Sequence, residues 1–139
     1  MEIERPKITL IPSTADKLME VLSWLILFVF WGYTISHYSS LPDTIPTHYN
    51  AAGEADGFGR KASVFRLPVI ATLLFIGITV LNGYPHIFNY PTTITQVNAL
   101  RLYTLATRML RYLKLVLVVV LGGIAFKTIQ TATGESSGL

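Results

Sequence analysis

The chain has 139 residues, of which 51% are hydrophobic and only 14% are charged, with a net charge of +3. In soluble domains, about a quarter of the residues are charged. This composition therefore argues against a soluble enzyme, a nucleic-acid-binding domain and a disordered tail. The sequence contains no cysteine, which excludes disulfides, thiolate metal sites and cysteine nucleophiles. The remaining class is a small integral membrane protein.

Three long apolar stretches define the predicted architecture. They cover residues 18–38, 64–83 and 112–129. At a rise of about 1.5 Å per residue, a helix of roughly 20 residues crosses the hydrocarbon core of a bilayer, and each stretch approaches that length. The sequence therefore predicts an all-α integral membrane protein in contact with the lipid bilayer. Residues 1–132 form its single domain of three transmembrane helices.

The distribution of basic residues predicts the orientation of these spans. Seven basic residues lie on the side of the N-terminal segment and the second connection, against four on the opposite side. Because basic residues accumulate in cytoplasmic segments, the N-terminus is predicted to be cytoplasmic and the C-terminus extracytoplasmic.

The first connection, residues 41–61, is rich in residues that restrict or redirect the backbone. Pro42 and Pro46 limit φ and bias the preceding residues towards extended conformations. Three glycines, at positions 53, 57 and 59, permit positive φ. We therefore expect an ordered extracytoplasmic Pro/Gly-rich loop that folds back in a defined shape.

Two hypotheses account for the polar side chains of this loop. In the first, the side chains bind a ligand or organise the loop by hydrogen bonds to its backbone. The residues of this first hypothesis are His48, Asn50, Gly53, Glu54, Asp56 and Arg66. Among them, Arg66 would pair with a loop carboxylate. In the second, a divalent metal such as zinc is held by His48, Glu54 and Asp56, with His37 joining from the first span. No paired-histidine motif supports the metal hypothesis, and no catalytic residue can be named, so an enzyme is the less favoured interpretation.

The third span is predicted to belong to a longer helix. Pro85 and Pro91 interrupt the chain, but no glycine or proline occurs from Thr95 until Gly122. A helix over this region would be about 50 Å long and would extend into the cytoplasm. An amphipathic elbow lying on the inner leaflet is the alternative.

Polar residues of this second connection and of the third helix are predicted to contact the lipid phosphates of the inner leaflet or a cytoplasmic partner. They are His86, Asn89, Arg101, Arg108, Arg111 and Lys114. Small residues on the first and third spans, including Gly32 and Gly122, permit close helix approach, and we expect a homo-oligomer or assembly with another membrane protein. Residues 133–139 are expected to be a flexible tail, with residues 136–139 consistent with a remnant of an expression tag.

The loop also carries a recognisable motif. Pro46, His48 and Asn50, followed by Gly53 and Asp56, reproduce a Pro-x-His-aromatic-Asn-x-x-Gly-x-x-Asp pattern. Residues 18–83 thereby resemble a bacterial membrane domain of unknown function, number 1648, which also forms the N-terminal part of SdpI-type immunity proteins. Residues 84–91 and 107–114 resemble short members of the same family. The resemblance implies a location in the bacterial cytoplasmic (inner) membrane, with this loop between the first two spans.

SdpI-type proteins protect a cell from a secreted toxic peptide and relay its presence to a cytoplasmic repressor, but they are longer and contain further spans. The expected function is therefore non-enzymatic binding or sensing of a ligand or an extracytoplasmic peptide at the outer loop, in toxin immunity or signalling. The alternative is a metal-dependent membrane enzyme or metal-binding protein. A transporter is disfavoured because the middle of each span lacks an ionisable residue.

Overall fold

The computed structural model describes residues 4–139, which form three helices and one β-hairpin. Helix α1 covers Thr14–His37, strands β1 and β2 cover Thr44–Tyr49 and Ala55–Arg60, α2 covers Arg66–Leu81 and α3 covers Ala99–Ala132. Short 3-10 turns follow α1 and precede both α2 and α3. The prediction of a mostly helical protein with three helices long and apolar enough to cross a membrane is confirmed.

The helix starts are specified by local hydrogen bonds. Ser13 caps α1 by accepting a hydrogen bond from the Asp16 backbone N–H, and the Asp16 carboxylate accepts one from the Ser13 backbone N–H in return. Before α3, the Thr95 N–H donates to the Asn98 side chain and the Asn98 N–H donates to the Thr95 hydroxyl. Helix α3 then continues without a break for 34 residues, about 50 Å, so the long-helix prediction is confirmed and the elbow alternative is wrong.

Helix α3 packs against both other helices and forms the centre of the bundle. Leu27 and Phe30 of α1, Phe75 of α2 and Val118 of α3 are buried together. Gly122 lies against the Phe30 ring, so this small residue permits a contact within the chain. Oligomerisation through the other small residues stays a prediction.

The outward faces of the helices are apolar. Leu25 and Val29 of α1, Leu73 of α2 and Val116 of α3 are all largely exposed. Exposed apolar surface of this extent is unfavourable in water but fits contact with lipid tails. These three helices therefore fit a multi-pass membrane protein.

The loop between α1 and α2 is a β-hairpin, which the sequence analysis did not predict. Its strands are antiparallel, with Ile45 opposite Gly59 and His48 opposite Gly57, and the pairing is irregular around His48. A side chain at Gly57 would place its Cβ 2.9 Å from the Cβ of His48, so only glycine fits there without displacing the neighbour. Ile45 is buried with Ile129 of α3, which fastens the hairpin to the end of that helix.

The chain preceding α1 packs against the start of α3. Ile8 and Leu10 cover a buried cluster that contains Tyr103, whose hydroxyl donates to the Pro6 carbonyl over 3.0 Å. We call this end of the bundle, where α1 begins and α2 ends, the N-terminal end. The opposite end is called the hairpin end.

Candidate functional site

Asn50 organises the turn of the hairpin. Its side-chain oxygen accepts hydrogen bonds from the backbone N–H groups of Ala52 and Glu54, over 2.9 and 3.0 Å. Its amide group donates to the Glu54 carboxylate over 3.1 Å, and Gly53 adopts a φ of +80°. Because Asn50 makes these bonds within the turn, its geometry matches the loop-organising hypothesis.

His48 and Asp56 face each other across the hairpin. The Nδ1 atom of His48 lies 2.5 Å from a carboxylate oxygen of Asp56, with 73% of the His48 side chain and 44% of the Asp56 side chain exposed. An exposed pair of this kind contributes about 0–1 kcal/mol to stability. The pair is therefore accessible to a ligand and is not a main source of stability.

The four residues of the metal hypothesis do not form a cluster. Glu54 is bonded to Asn50, while the His37 ring lies within hydrogen-bond distance of the Tyr33 carbonyl, at 2.9 Å, and stacks on the Tyr33 ring. Over residues 4–139, no group of three or more histidine or carboxylate side chains could hold a metal ion. The metal-binding alternative therefore has no geometric support.

A groove lies between the hairpin and helices α2 and α3. Its volume is about 420 Å³, within the range of about 300–1,000 Å³ that is common for ligand sites. Apolar and polar side chains line it, among them Leu67, Ile70, Ala125, His48, Arg66 and Thr128. Arg66 forms no ion pair with another described residue, so its expected pairing with a loop carboxylate is wrong, and it contributes a cation to the groove instead.

The last residues of the chain, which were expected to form a flexible tail, lie against the same groove. The Leu139 N–H donates to the Gly53 carbonyl over 2.9 Å, and Leu139 itself lines the groove. A side chain added at Gly138 would place its Cβ 2.6 Å from the Gly53 carbonyl oxygen. The contact therefore depends on the absence of a side chain at Gly138.

A second polar site lies inside the bundle, near its N-terminal end. The Lys114 ammonium donates to the Glu20 carboxylate over 2.6 Å and to the Thr79 hydroxyl over 3.0 Å, and it lies 4.5 Å from the centre of the Phe75 ring. Only 1% of the Lys114 side chain is exposed. The predicted contact of Lys114 with lipid or a partner is therefore wrong, because α3 turns this residue towards α1 and α2.

The neighbouring arginines also face α1. The Arg108 Nε donates to the Asp16 carboxylate over 3.0 Å, and Arg111 lies 3.5 Å from Glu20 and 3.8 Å from Asp16. The side chain of Arg111 is 16% exposed and that of Arg108 is 38% exposed. Both arginines thus contact carboxylates of α1, whereas the sequence analysis predicted contacts with lipid phosphates or a cytoplasmic partner.

The sequence analysis missed the carboxylates of this cluster. Asp16 and Glu20 are one helical turn apart, so they share a face of α1, and Arg108, Arg111 and Lys114 form a stripe at spacings of three on α3. Complementary charges on two apolar helices are the sequence feature that predicts the contact between these faces of α1 and α3. By contrast, Asn89 and Arg101 are exposed and His86 is half-buried. Contact of these three residues with lipid or a partner stays a prediction.

The comparisons with known proteins identify the domain that contains the hairpin. Residues 25–72, from α1 through the hairpin to α2, match the model of a domain of unknown function, DUF1648. The chain carries this domain. This match confirms the domain that the loop motif indicated, and the relation to SdpI-type proteins stays a prediction.

The chain is also similar to a protein of unknown activity, which adds no function. An uncharacterized protein of Archaeoglobus fulgidus is 33% identical over 88 residues, which cover 58% of this chain and 48% of the relative. The chain thus spans about half the length of the curated relative it matches. No solved structure matches the chain at a significant level.

Replacing Asn50 with alanine is expected to speed hydrogen exchange at the Ala52 and Glu54 amides by roughly fivefold. Both amides lose their acceptor, and a loss of about 1 kcal/mol corresponds to that factor. Exchange followed by NMR in micelles measures the effect. Asp56→Asn removes only the exposed charge pair and serves as the control, which should leave these two amides unchanged. Equal acceleration in both variants would contradict the role given to Asn50.

Proposed function

We propose that the protein binds a short peptide with an apolar side chain in the groove between the hairpin and helices α2 and α3. The observation that carries the proposal is the position of Leu139, which brings a peptide backbone N–H to the Gly53 carbonyl and an apolar residue to the groove. In this proposal, the C-terminal segment of the chain itself occupies the site that a peptide ligand takes. The protein acts as a non-enzymatic binding or sensing protein.

The composition of the groove supports a peptide as the occupant. Leu67 and Ile70 provide an apolar surface for a side chain, and Arg66 and the His48–Asp56 pair provide charged groups at the same site. A few placed polar groups around an apolar lining are the usual features of a small-ligand site. The carbonyl of Gly53 adds a backbone acceptor that suits a peptide better than a simple hydrocarbon.

The orientation predicted by the basic residues completes the proposal. With the N-terminus in the cytoplasm, the hairpin end lies at the extracytoplasmic face, where a secreted peptide would arrive. Toxin immunity or its signalling is the role that the resemblance to SdpI-type proteins suggests for such binding. A bacterial inner-membrane location is part of the same proposal.

Peptide binding can be tested by displacing the C-terminal segment. The probe is a fluorescent peptide with the sequence of residues 133–139, added to the full chain in detergent. Gly138→Ala should raise its affinity at least tenfold, because the segment tethered to α3 competes at an effective concentration of up to about millimolar. Fluorescence anisotropy measures binding, and faster digestion of the C-terminus by a carboxypeptidase verifies that the segment is released.

Matched variants separate this proposal from non-specific effects. Gly123→Ala is the control for the glycine change, since a Cβ there has no neighbour within 4 Å. In the Gly138→Ala background, Ile70→Trp should fill the groove and abolish binding, while Leu73→Trp, on the lipid-facing surface of α2, should not. Equal binding by the Ile70→Trp and Leu73→Trp proteins, or no binding by Gly138→Ala, would overturn the proposal.

A further inference from the structure

The charge cluster at the N-terminal end contains an excess of cations. Two carboxylates, Asp16 and Glu20, face three basic side chains, those of Arg108, Arg111 and Lys114. Lys114 and Arg108 have close carboxylate partners at 2.6 and 3.0 Å, whereas the contacts of Arg111 are longer, at 3.5 and 3.8 Å. The Nε of Arg111 is buried and lacks a hydrogen-bond partner among the described residues. Arg111 is thus the cation with capacity left for an anion.

Asn82, just after α2, presents an unused acceptor beside this arginine. Its amide nitrogen donates to the Thr107 carbonyl over 3.2 Å, which fixes the orientation of the side chain. The opposite atom, Oδ1, is buried and has no donor within the described chain. A buried carbonyl oxygen without a donor costs about 1–3 kcal/mol, so a ligand donor here would be favourable.

Two adjoining cavities lie next to these two side chains. Their volumes are about 460 and 590 Å³, and Asn82 and Arg111 line both of them. Lys7 adds a second cation to the first cavity, and Lys17 and Glu20 line the second. The cavities therefore combine several cations with one amide acceptor and one carboxylate.

The position of the cavities in the bundle indicates the source of a ligand. They lie where α1 begins and α2 ends, so they are at one end of the membrane-spanning segments. The ends of such segments are at the level of the lipid headgroups and their phosphates. Both a membrane lipid and a soluble phosphate ester can reach this level.

We infer that this site binds a phosphate ester whose headgroup also carries a hydrogen-bond donor, as in phosphoethanolamine or phosphoglycerol groups. The phosphate accepts hydrogen bonds from Arg111 and is attracted by Lys7 and Lys17. The ammonium or hydroxyl of the headgroup donates to Asn82 Oδ1. A phosphocholine group satisfies Arg111 but, being fully methylated, leaves Asn82 without a donor.

Binding to the purified full chain in detergent tests the inference by native mass spectrometry. The probes are phosphatidylethanolamine, phosphatidylglycerol and phosphatidylcholine with identical acyl chains, together with soluble phosphoethanolamine. The first two lipids should bind at least tenfold more tightly than phosphatidylcholine. Binding of soluble phosphoethanolamine with the affinity of the lipid would identify a soluble ester as the ligand, and much weaker binding would identify the lipid.

Two variants assign the binding to the cavity. Arg111→Gln should weaken binding of all three lipids at least tenfold, while Arg60→Gln, at an exposed position at the end of β2, should not. Asn82→Ala should lower the affinity for phosphatidylethanolamine to that for phosphatidylcholine and leave phosphatidylcholine unchanged. Equal affinity of the wild-type chain for all three lipids, or equal effects of Arg111→Gln and Arg60→Gln, would overturn the inference.

Discussion

Lys114→Met should lower the free energy of unfolding by about 3 kcal/mol, which is the cost expected for removing one partner of a buried ion pair. Methionine preserves most of the side-chain length but leaves the Glu20 carboxylate without its 2.6 Å donor. The contact of the ammonium with the Phe75 ring is lost as well. Equilibrium unfolding of the protein in mixed micelles, followed by circular dichroism, measures the change.

Two further variants separate the charge effect from packing. Lys127→Met makes the same substitution at an exposed position of α3 and should change stability by no more than about 0.5 kcal/mol. Glu20→Leu combined with Lys114→Met should recover part of the loss, because no carboxylate then remains without its main donor. If the double variant were less stable than Lys114→Met alone, the loss would be due to packing and not to the unpaired charge.

The architecture of the helices was predictable because it depends on local sequence properties. The three apolar stretches have the length and composition of spans, and the run without glycine or proline from Thr95 to Gly122 predicts one long α3. Helix ends differ by only a few residues from the predicted limits, as at α1, which begins at Thr14. Features that are encoded within one segment could therefore be obtained from the sequence.

The hairpin was not predictable from local strand propensity. Strand β2 contains Gly57 and Gly59 and has a single aromatic residue, Phe58, so its composition indicates a turn more than a strand. It forms a strand because the glycines allow close approach to β1, and because Ile45 is buried against α3. These reasons involve contacts between segments, which composition alone does not reveal.

The charge cluster was missed for a related reason. The sequence of α3 alone predicts contacts between its arginines and lipid phosphates. Asp16 and Glu20 become relevant only when α1 is placed against α3, which brings the Lys114 ammonium to 2.6 Å from Glu20. Since burial of a charge in a membrane protein requires a partner, complementary charges on two spans predict which helix faces meet.

Asp16→Ala should lower the free energy of unfolding by about 4 kcal/mol, a loss similar to that expected for Lys114→Met. The cap accounts for about 1 kcal/mol of this loss and the ion pairs account for the rest. The Asp16 carboxylate accepts hydrogen bonds from the Ser13 N–H at 2.9 Å and the Ser13 hydroxyl at 2.8 Å. It also accepts one from Arg108 on α3 at 3.0 Å. One side chain thus fixes both the start of α1 and its position beside α3.

Ser13→Ala separates these two roles, because it removes the capping hydroxyl and leaves the contact between Asp16 and Arg108 in place. We expect it to lower the free energy of unfolding by about 1 kcal/mol in the same micelle titration. Asp43→Ala, at an exposed position before the hairpin, is the matched control and should change stability by no more than about 0.5 kcal/mol. If Ser13→Ala were as damaging as Asp16→Ala, Asp16 would act only as a cap, and the ion pair with Arg108 would contribute nothing to the association of α1 with α3.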